Sequence, residues 1–165
     1  MAQTISSPKV SLQMTAGVTD SLAYPLATYQ VNFQPAFNVS FGTGAGQANL
    51  AYTAAFTVTN GTPLVLDINA LVDAVFQTSQ SFFRMLGYGV ENDSLTAGQD
   101  FTVGGGSNPI SPTDVNLCKA NGGAILVWNP NPGYVMNSST AHLLQITVAA
   151  GTTVPGKITI FGCSA

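Results

Sequence analysis

Residues 52–66 read YTAAFTVTNGTPLVL and contain the clearest structural signal in the chain. Apolar residues recur at every second position from Tyr52 to Val58, as expected of a strand with one buried face, and a second apolar run covers residues 63–66. Between them stands Asn60-Gly61, a pair that favours a type I′ turn because both central positions of that turn take a positive φ. The segment therefore predicts a β-hairpin.

The same two-residue period recurs along most of the chain, and clusters of Gly, Pro and Asn separate the periodic runs. About nine or ten strands at this spacing are typical of an all-β protein, folded as a β-sandwich or jelly roll. The periodic runs outside the hairpin are residues 9–14, 29–33, 37–41, 144–148 and 158–162, and residues 79–90 are a further expected strand.

Residues 69–76 depart from this pattern. Ile68, Leu71, Val72 and Val75 are spaced as on one face of a helix, and Asn69 is a suitable N-cap. We expect one short helical segment near residues 69–76, lying across the end of a sheet.

The first 25 residues are rich in Ser, Thr and Ala and include two prolines. Such a segment buries little apolar surface within its own domain, so residues 1–25 are expected to form an extended N-terminal arm held by a neighbouring subunit or by its own domain. Residues 26–165 are expected to form a single β-sandwich domain, since the length suits one domain.

Charged residues make up only 7% of the chain, against roughly a quarter in an ordinary soluble domain. Net charge keeps proteins apart in solution, so a chain this poor in charge is expected to work within an assembly. The four basic residues are scattered singly, which argues against a nucleic-acid partner. The apolar runs are too short to cross a bilayer, and residues 1–8 lack the pattern of a secretory signal.

The residues that carry catalysis or bind metals are scarce. His142 is the only histidine, and Cys118 and Cys163 are expected to be buried free thiols. Glu91 and Asp93 lie close to Asp100, but their spacing does not match a calcium-binding loop, and acidic residues also accumulate in turns for backbone reasons. The sequence therefore predicts no catalytic, cofactor or metal site, and no enzyme.

Three residues are candidates for contact with a partner. Arg84 is the only arginine and lies in an expected strand, where it either faces solvent, pairs with a carboxylate or contacts another subunit. Trp128 is the only tryptophan, and Tyr134 follows it across an Asn-Pro loop. These two rings either complete the core or stack on a sugar.

Several segments together resemble a family of small virion proteins encoded in the structural gene clusters of tailed bacteriophages and prophages. The resemblance covers about residues 35–165 and consists of turns and strands. The matching segments are residues 43–49, the strand pair around Asn60-Gly61, and residues 66–76, 101–105, 122–127 and 157–165.

The resemblance implies a β-rich structural protein of the virion, a capsid decoration (cement) protein made in the host cytoplasm and bound to the capsid exterior. Its partner would be the major capsid protein at the joints between subunits, and the protein itself would be a homo-oligomer, either a trimer or a dimer. The alternative is a tail or head-fibre component, a receptor-binding module that contacts host surface glycans through Trp128 and Tyr134.

Overall fold

The computed structural model describes residues 9–11, 14–20, 27–33, 36–38, 40–72, 79–129, 132–151 and 153–164, and before Ser40 it describes strands and their pairing. These residues form 17 strands and no helix. The strands are β1 (Lys9–Ser11), β2 (Met14–Asp20), β3 (Ala27–Phe33), β4 (Ala36–Asn38), β5 (Ser40–Phe41), β6 (Gln47–Ala48), β7 (Leu50–Val58), β8 (Leu64–Asp67), β9 (Leu71–Val72), β10 (Ser79–Gln80), β11 (Arg84–Asn92), β12 (Phe101–Val103), β13 (Asn116–Cys118), β14 (Ala124–Trp128), β15 (Tyr134–Val135), β16 (Leu143–Val148) and β17 (Val154–Cys163).

Two antiparallel sheets form the body of the protein. Sheet I has the strand order β14-β11-β17-β7, with β15 also paired to β11. Sheet II has the order β13-β12-β16-β8. One hydrophobic core joins them, because side chains from sheet I such as Tyr88 and Ile160 belong to the same buried cluster as Phe101 and Ile146 of sheet II. The body is therefore a β-sandwich.

The connectivity of the eight principal strands specifies the type of sandwich. These eight strands are the members of the two sheet orders given above, without β15. If they are numbered 1 to 8 along the chain, their spatial order is 1-8-3-6 in sheet I and 2-7-4-5 in sheet II. This order is that of a jelly roll, in which two Greek keys fold on each other. The all-β fold class predicted from the sequence is confirmed.

The alternation seen in the sequence corresponds to the two faces of each sheet. Along β17, Val154, Gly156, Ile158 and Ile160 are buried, while the residues between them are half-buried or exposed. Because successive residues of a strand face opposite sides, one set fills the core and the other forms the outer face of sheet I.

The turn at Asn60-Gly61 differs from the predicted hairpin. It is closed by a hydrogen bond from Thr62 N to Thr59 O, but only Gly61 has a positive φ, so it is not a type I′ turn. The flanking strands β7 and β8 belong to different sheets. The turn thus carries the chain from sheet I to sheet II, and a local alternation pattern does not distinguish this from a hairpin within one sheet.

The structure also differs from the predicted helical segment near residues 69–76 in the part that it describes, residues 69–72. Ile68 and Asn69 lie in a turn, and Leu71 begins the short strand β9. Ile68 N donates to His142 O, and Asn69 N donates to the Asp67 carboxylate, so a tertiary contact and a side-chain contact hold these two residues in the turn. Residues 73–76 lie outside the described residues. The expected strand 79–90 is divided into β10 and β11.

The strands β1 to β4 form two antiparallel pairs, β1 with β4 and β2 with β3, called together the ribbon. The first pair extends from Lys9↔Asn38 to Ser11↔Ala36, and the second extends from Met14↔Phe33 to Asp20↔Ala27. Within the described residues, the ribbon strands pair with one another and with no strand of the sandwich. The ribbon spans the expected boundary between residues 25 and 26.

Candidate interaction surfaces

Strand β11 brings the three candidate contact residues to one end of sheet I. Arg84 is the first residue of β11 and pairs with Val135. Tyr134 pairs with the next residue of β11, and Trp128 pairs with Gly87. The structure therefore places Arg84 near Trp128 and Tyr134, which lie far from it in the sequence.

Arg84 lies in a small surface patch with Phe83 and Val135, called here the Arg84 patch. The guanidinium carbon of Arg84 is 5.7 Å from the centre of the Phe83 ring. Phe83 and Val135 are 43% and 49% exposed. No carboxylate of the described residues forms an ion pair with Arg84, and its Nε is buried without a hydrogen-bond partner.

Tyr134 faces the interior instead. Its ring packs against the main core, and its hydroxyl donates a 2.8 Å hydrogen bond to the Asp114 carboxylate. This hydrogen bond lowers the pKa of Asp114, and burial together with the carboxylate raises the pKa of Tyr134. Tyr134 thus anchors the chain segment before β13 to the strand β15.

Trp128 is half-buried and packs in a small cluster with Leu86 and Ala48. Its ring also lies over Gly87, where an added Cβ would approach the ring carbon Cε3 to 2.6 Å. Much of the ring is therefore taken up by the protein's own packing. This arrangement favours the interpretation of Trp128 as a residue that completes the core at a strand end.

Next to this cluster, the outer face of sheet I holds a groove of about 300 Å³, called here the Gly89 groove. Its floor is Gly89, and its walls include Thr53, Leu126 and Phe161. A Cβ on Gly89 would meet only Ile125 O, at 3.7 Å, so the space above Gly89 is open. The groove was not predicted from the sequence, although a glycine inside an apolar strand is a known signal for close approach of another group.

The outer face of sheet II has exposed apolar residues at both of its edges, with the uncharged strands β12 and β16 between them. Leu117 and Val65 lie on the outer strands β13 and β8, and Val115 immediately precedes β13; all three are about half exposed. The cross-strand neighbours of Leu117 and Val65 are Thr102 and Gln145, which carry no charge. We call Val65, Val115 and Leu117 the sheet II patch.

Two lysines form ion pairs with Glu91, Asp93 and Asp100. Lys157 lies 3.7 Å from a carboxylate oxygen of Glu91 and 3.5 Å from one of Asp93, and Lys119 lies 2.8 Å from Asp100. Asp100 also accepts from Ala120 N, and these donors lower its pKa. Among the described residues, no group of three His, Cys, Asp or Glu side chains is placed to hold a metal ion.

The remaining reactive side chains are separate from one another. The ring Nδ1 of His142 is 3.1 Å from Asn137 O. Cys118 and Cys163 are buried free thiols, as expected from the sequence, and burial raises the pKa of both. The described residues thus bring no base next to a nucleophile in the manner of a catalytic dyad.

No helix in the described part of the chain is long and apolar enough to cross a membrane. The resemblance to phage virion proteins remains a prediction from the sequence segments given above. No family model matches the chain, and no match was found among curated proteins or among solved structures.

Proposed function

We propose that this protein is a non-enzymatic virion structural protein, a capsid decoration or cement protein that binds the exterior of a phage capsid at the joints between major capsid subunits. The observation that supports the proposal most directly is that the charge-poor jelly roll has exposed apolar patches on the outside of its sandwich. Exposed apolar side chains grouped on one surface are typical of sites that contact another protein.

The sheet II patch is the surface that best suits the capsid. It lies on the outer face of a sheet, and its uncharged neighbours Thr102 and Gln145 cost less to remove from water than charged side chains would. Apolar burial contributes about 25 cal/mol per Å², before the costs of association are subtracted. Repeated at every joint of a shell, a modest net gain would resist internal pressure.

Cryo-electron microscopy of capsids lacking this protein, after addition of the purified chain, tests the proposal. We expect ordered density at the capsomer joints and restored resistance to heat. The double variant Val65→Ser, Leu117→Ser should lower occupancy strongly, whereas Leu95→Ser should not, although Leu95 is 84% exposed. Bare joints at saturating wild-type protein would overturn the decoration role.

The geometry gives less support to the receptor-binding alternative, because the Tyr134 hydroxyl donates a hydrogen bond to Asp114 and the ring of Trp128 packs on Gly87. A glycan array with the wild-type protein and with Trp128→Ala distinguishes the two functions. Binding of a defined glycan that is lost in Trp128→Ala, together with unoccupied capsid joints, would favour the alternative.

A further inference from the structure

The two sheets of the sandwich have four edge strands of unequal length. Strands β13 and β8 have three and four residues, and β14 has five, whereas β7 has nine. Within the part of the chain that the structure describes, β7 pairs with β17 on one side, and no strand lies along its other side. The edge of sheet I at β7 is therefore the longest edge of the described sandwich.

Strand β7 lacks the features that usually protect an edge from pairing with another chain. Those features are a short strand, charged side chains, proline and β-bulges. The segment Leu50–Val58 contains no charged residue and no proline. Its register with β17 runs through nine consecutive pairs, without the shift that interrupts β11 after Met85. The edge is thus long, regular and uncharged, which suits the addition of a further strand.

The two faces of β7 differ in polarity. The residues that belong to the core or pack against it are Leu50, Tyr52, Ala54, Phe56 and Val58. The residues between them lie on the outer face of sheet I, and Thr53, Ala55 and Thr57 among them are exposed. A strand that extends sheet I along this edge must have the same alternation, with apolar residues on the core side and small or polar residues on the outer side.

A second copy of β7 meets this requirement in one orientation. Antiparallel pairing about a two-fold axis perpendicular to the sheet keeps the core faces of both copies on the same side, whereas parallel pairing of the same edge turns one copy over. With the axis at Ala54, all nine residues of each strand pair. On the core side, Tyr52 then lies opposite Phe56 of the second copy, an aromatic pair of the kind that stabilises sheets. On the outer side, Thr53 lies opposite Ala55 of the second copy.

We infer that two copies of the chain pair through β7 in this antiparallel register, so that their two sheets I become one continuous sheet in a symmetric dimer. At about 3.3 Å per residue, the nine paired residues give a contact roughly 30 Å long. Because the axis is perpendicular to the sheet, the sheet II patches of both copies face the same side of the dimer. The inference concerns the free protein and does not rest on the proposed function, so either can fail without the other.

Two matched double variants test the register, with molar mass measured by light scattering in the absence of capsids. Residue 53 of each copy faces residue 55 of the other, so Thr53→Glu with Ala55→Glu places like charges opposite one another at two positions. This variant should raise the concentration at which the dimer dissociates by about tenfold or more. Thr53→Lys with Ala55→Glu places opposite charges at the same positions, and its dissociation should stay within about threefold of the wild type.

The comparison between these variants isolates the contact across the two-fold axis. Both variants change residues that are exposed, and both carry the same Ala55→Glu substitution beside Lys157. They differ only in the sign of the charge at residue 53, whose neighbour on β17 is the uncharged Thr159. A difference in association between them therefore reports the residue that faces position 53 in the second copy.

Amide hydrogen exchange of the wild type tests the same contact without any substitution. Alternate amides of residues 53–58 should exchange slowly in the dimer and faster when the protein is diluted below the dissociation concentration, because their partners are in the second copy. Val65→Ser with Leu117→Ser alters the sheet II patch and should dimerise as the wild type does. A monomeric or trimeric wild type, exchange that does not depend on concentration, or equal association of the two charged variants would each overturn the inference.

Discussion

Gly87 and Trp128 form a cross-strand pair in which the indole ring occupies the space that a side chain on residue 87 would need. Two residues along the same strand, Gly89 has no such cover. The two glycines lie on the same face of sheet I. The packing of Trp128 requires a glycine at position 87, whereas Gly89 leaves a groove open.

The first prediction compares alanine at these two glycines. Gly87→Ala should lower the free energy of unfolding by roughly 2 kcal/mol, since its Cβ would meet Val127 O and the Trp128 ring. Gly89→Ala should change it by less than about 0.5 kcal/mol. Urea denaturation followed by tryptophan fluorescence measures both. Equal effects in the two variants would contradict the packing of Trp128 over Gly87.

A second prediction concerns the hydrogen bond between Tyr134 and Asp114. Tyr134→Phe removes the donor and should cost about 1 kcal/mol at neutral pH. The pKa of Asp114 is lowered in the folded state. The ionised Asp114 carboxylate therefore contributes fully to the stability of the folded protein above the ordinary pKa of 3.8, and this contribution is lost as the pH falls through the lowered pKa.

The melting temperatures of the wild type and Tyr134→Phe should therefore converge in acid, from about pH 4 downward. Thermal scans between neutral and strongly acidic pH measure this convergence. Tyr88→Phe is the comparison variant, since the Tyr88 hydroxyl accepts a hydrogen bond from the Asn116 amide, whereas the Tyr134 hydroxyl donates one to a carboxylate. A difference in melting temperature between the wild type and Tyr134→Phe that stays constant over the whole pH range would contradict the hydrogen bond from Tyr134 to the Asp114 carboxylate.

A third prediction addresses Asn92, which is fully buried at the end of β11. Its Nδ2 donates to Gln99 O and Cys118 O, and its Oδ1 accepts from Ser94 N. Asn92→Ala should destabilise the protein by roughly 2 to 3 kcal/mol, because three backbone groups lose their partner. Asn60→Ala, in an exposed turn, is the control and should stay near the wild type in the same denaturation experiment.

A fourth prediction is that neither thiol reacts in the native state. Cys118 and Cys163 are buried, and their raised pKa values reduce the thiolate fraction at neutral pH. Titration with a chromogenic disulfide reagent should find close to no reactive thiol in the folded protein and both thiols in denaturant. Rapid reaction without denaturant, or fewer than two thiols after unfolding, would show that one cysteine is exposed or oxidised.

Short-range patterns were enough to predict the all-β class, the sandwich and the buried thiols. The alternation in β16 and β17 leads directly to the buried residues Leu144, Ile146, Ile158 and Ile160. The candidate surfaces were only partly predictable: Arg84 stood out as the single arginine, but the Gly89 groove exists only because β11, β14 and β17 are neighbours in sheet I.

Local sequence was sufficient to predict which faces of the strands are apolar and where the chain turns, because both depend on neighbouring residues. Contacts between distant residues establish which strands pair and that the turn at Asn60-Gly61 crosses between sheets. They also explain why Ile68 N donates to His142 O where a helix was expected. An apolar face has the same local pattern whatever covers it. Its partner is chosen by pairings between distant residues, such as Phe101 with Val148.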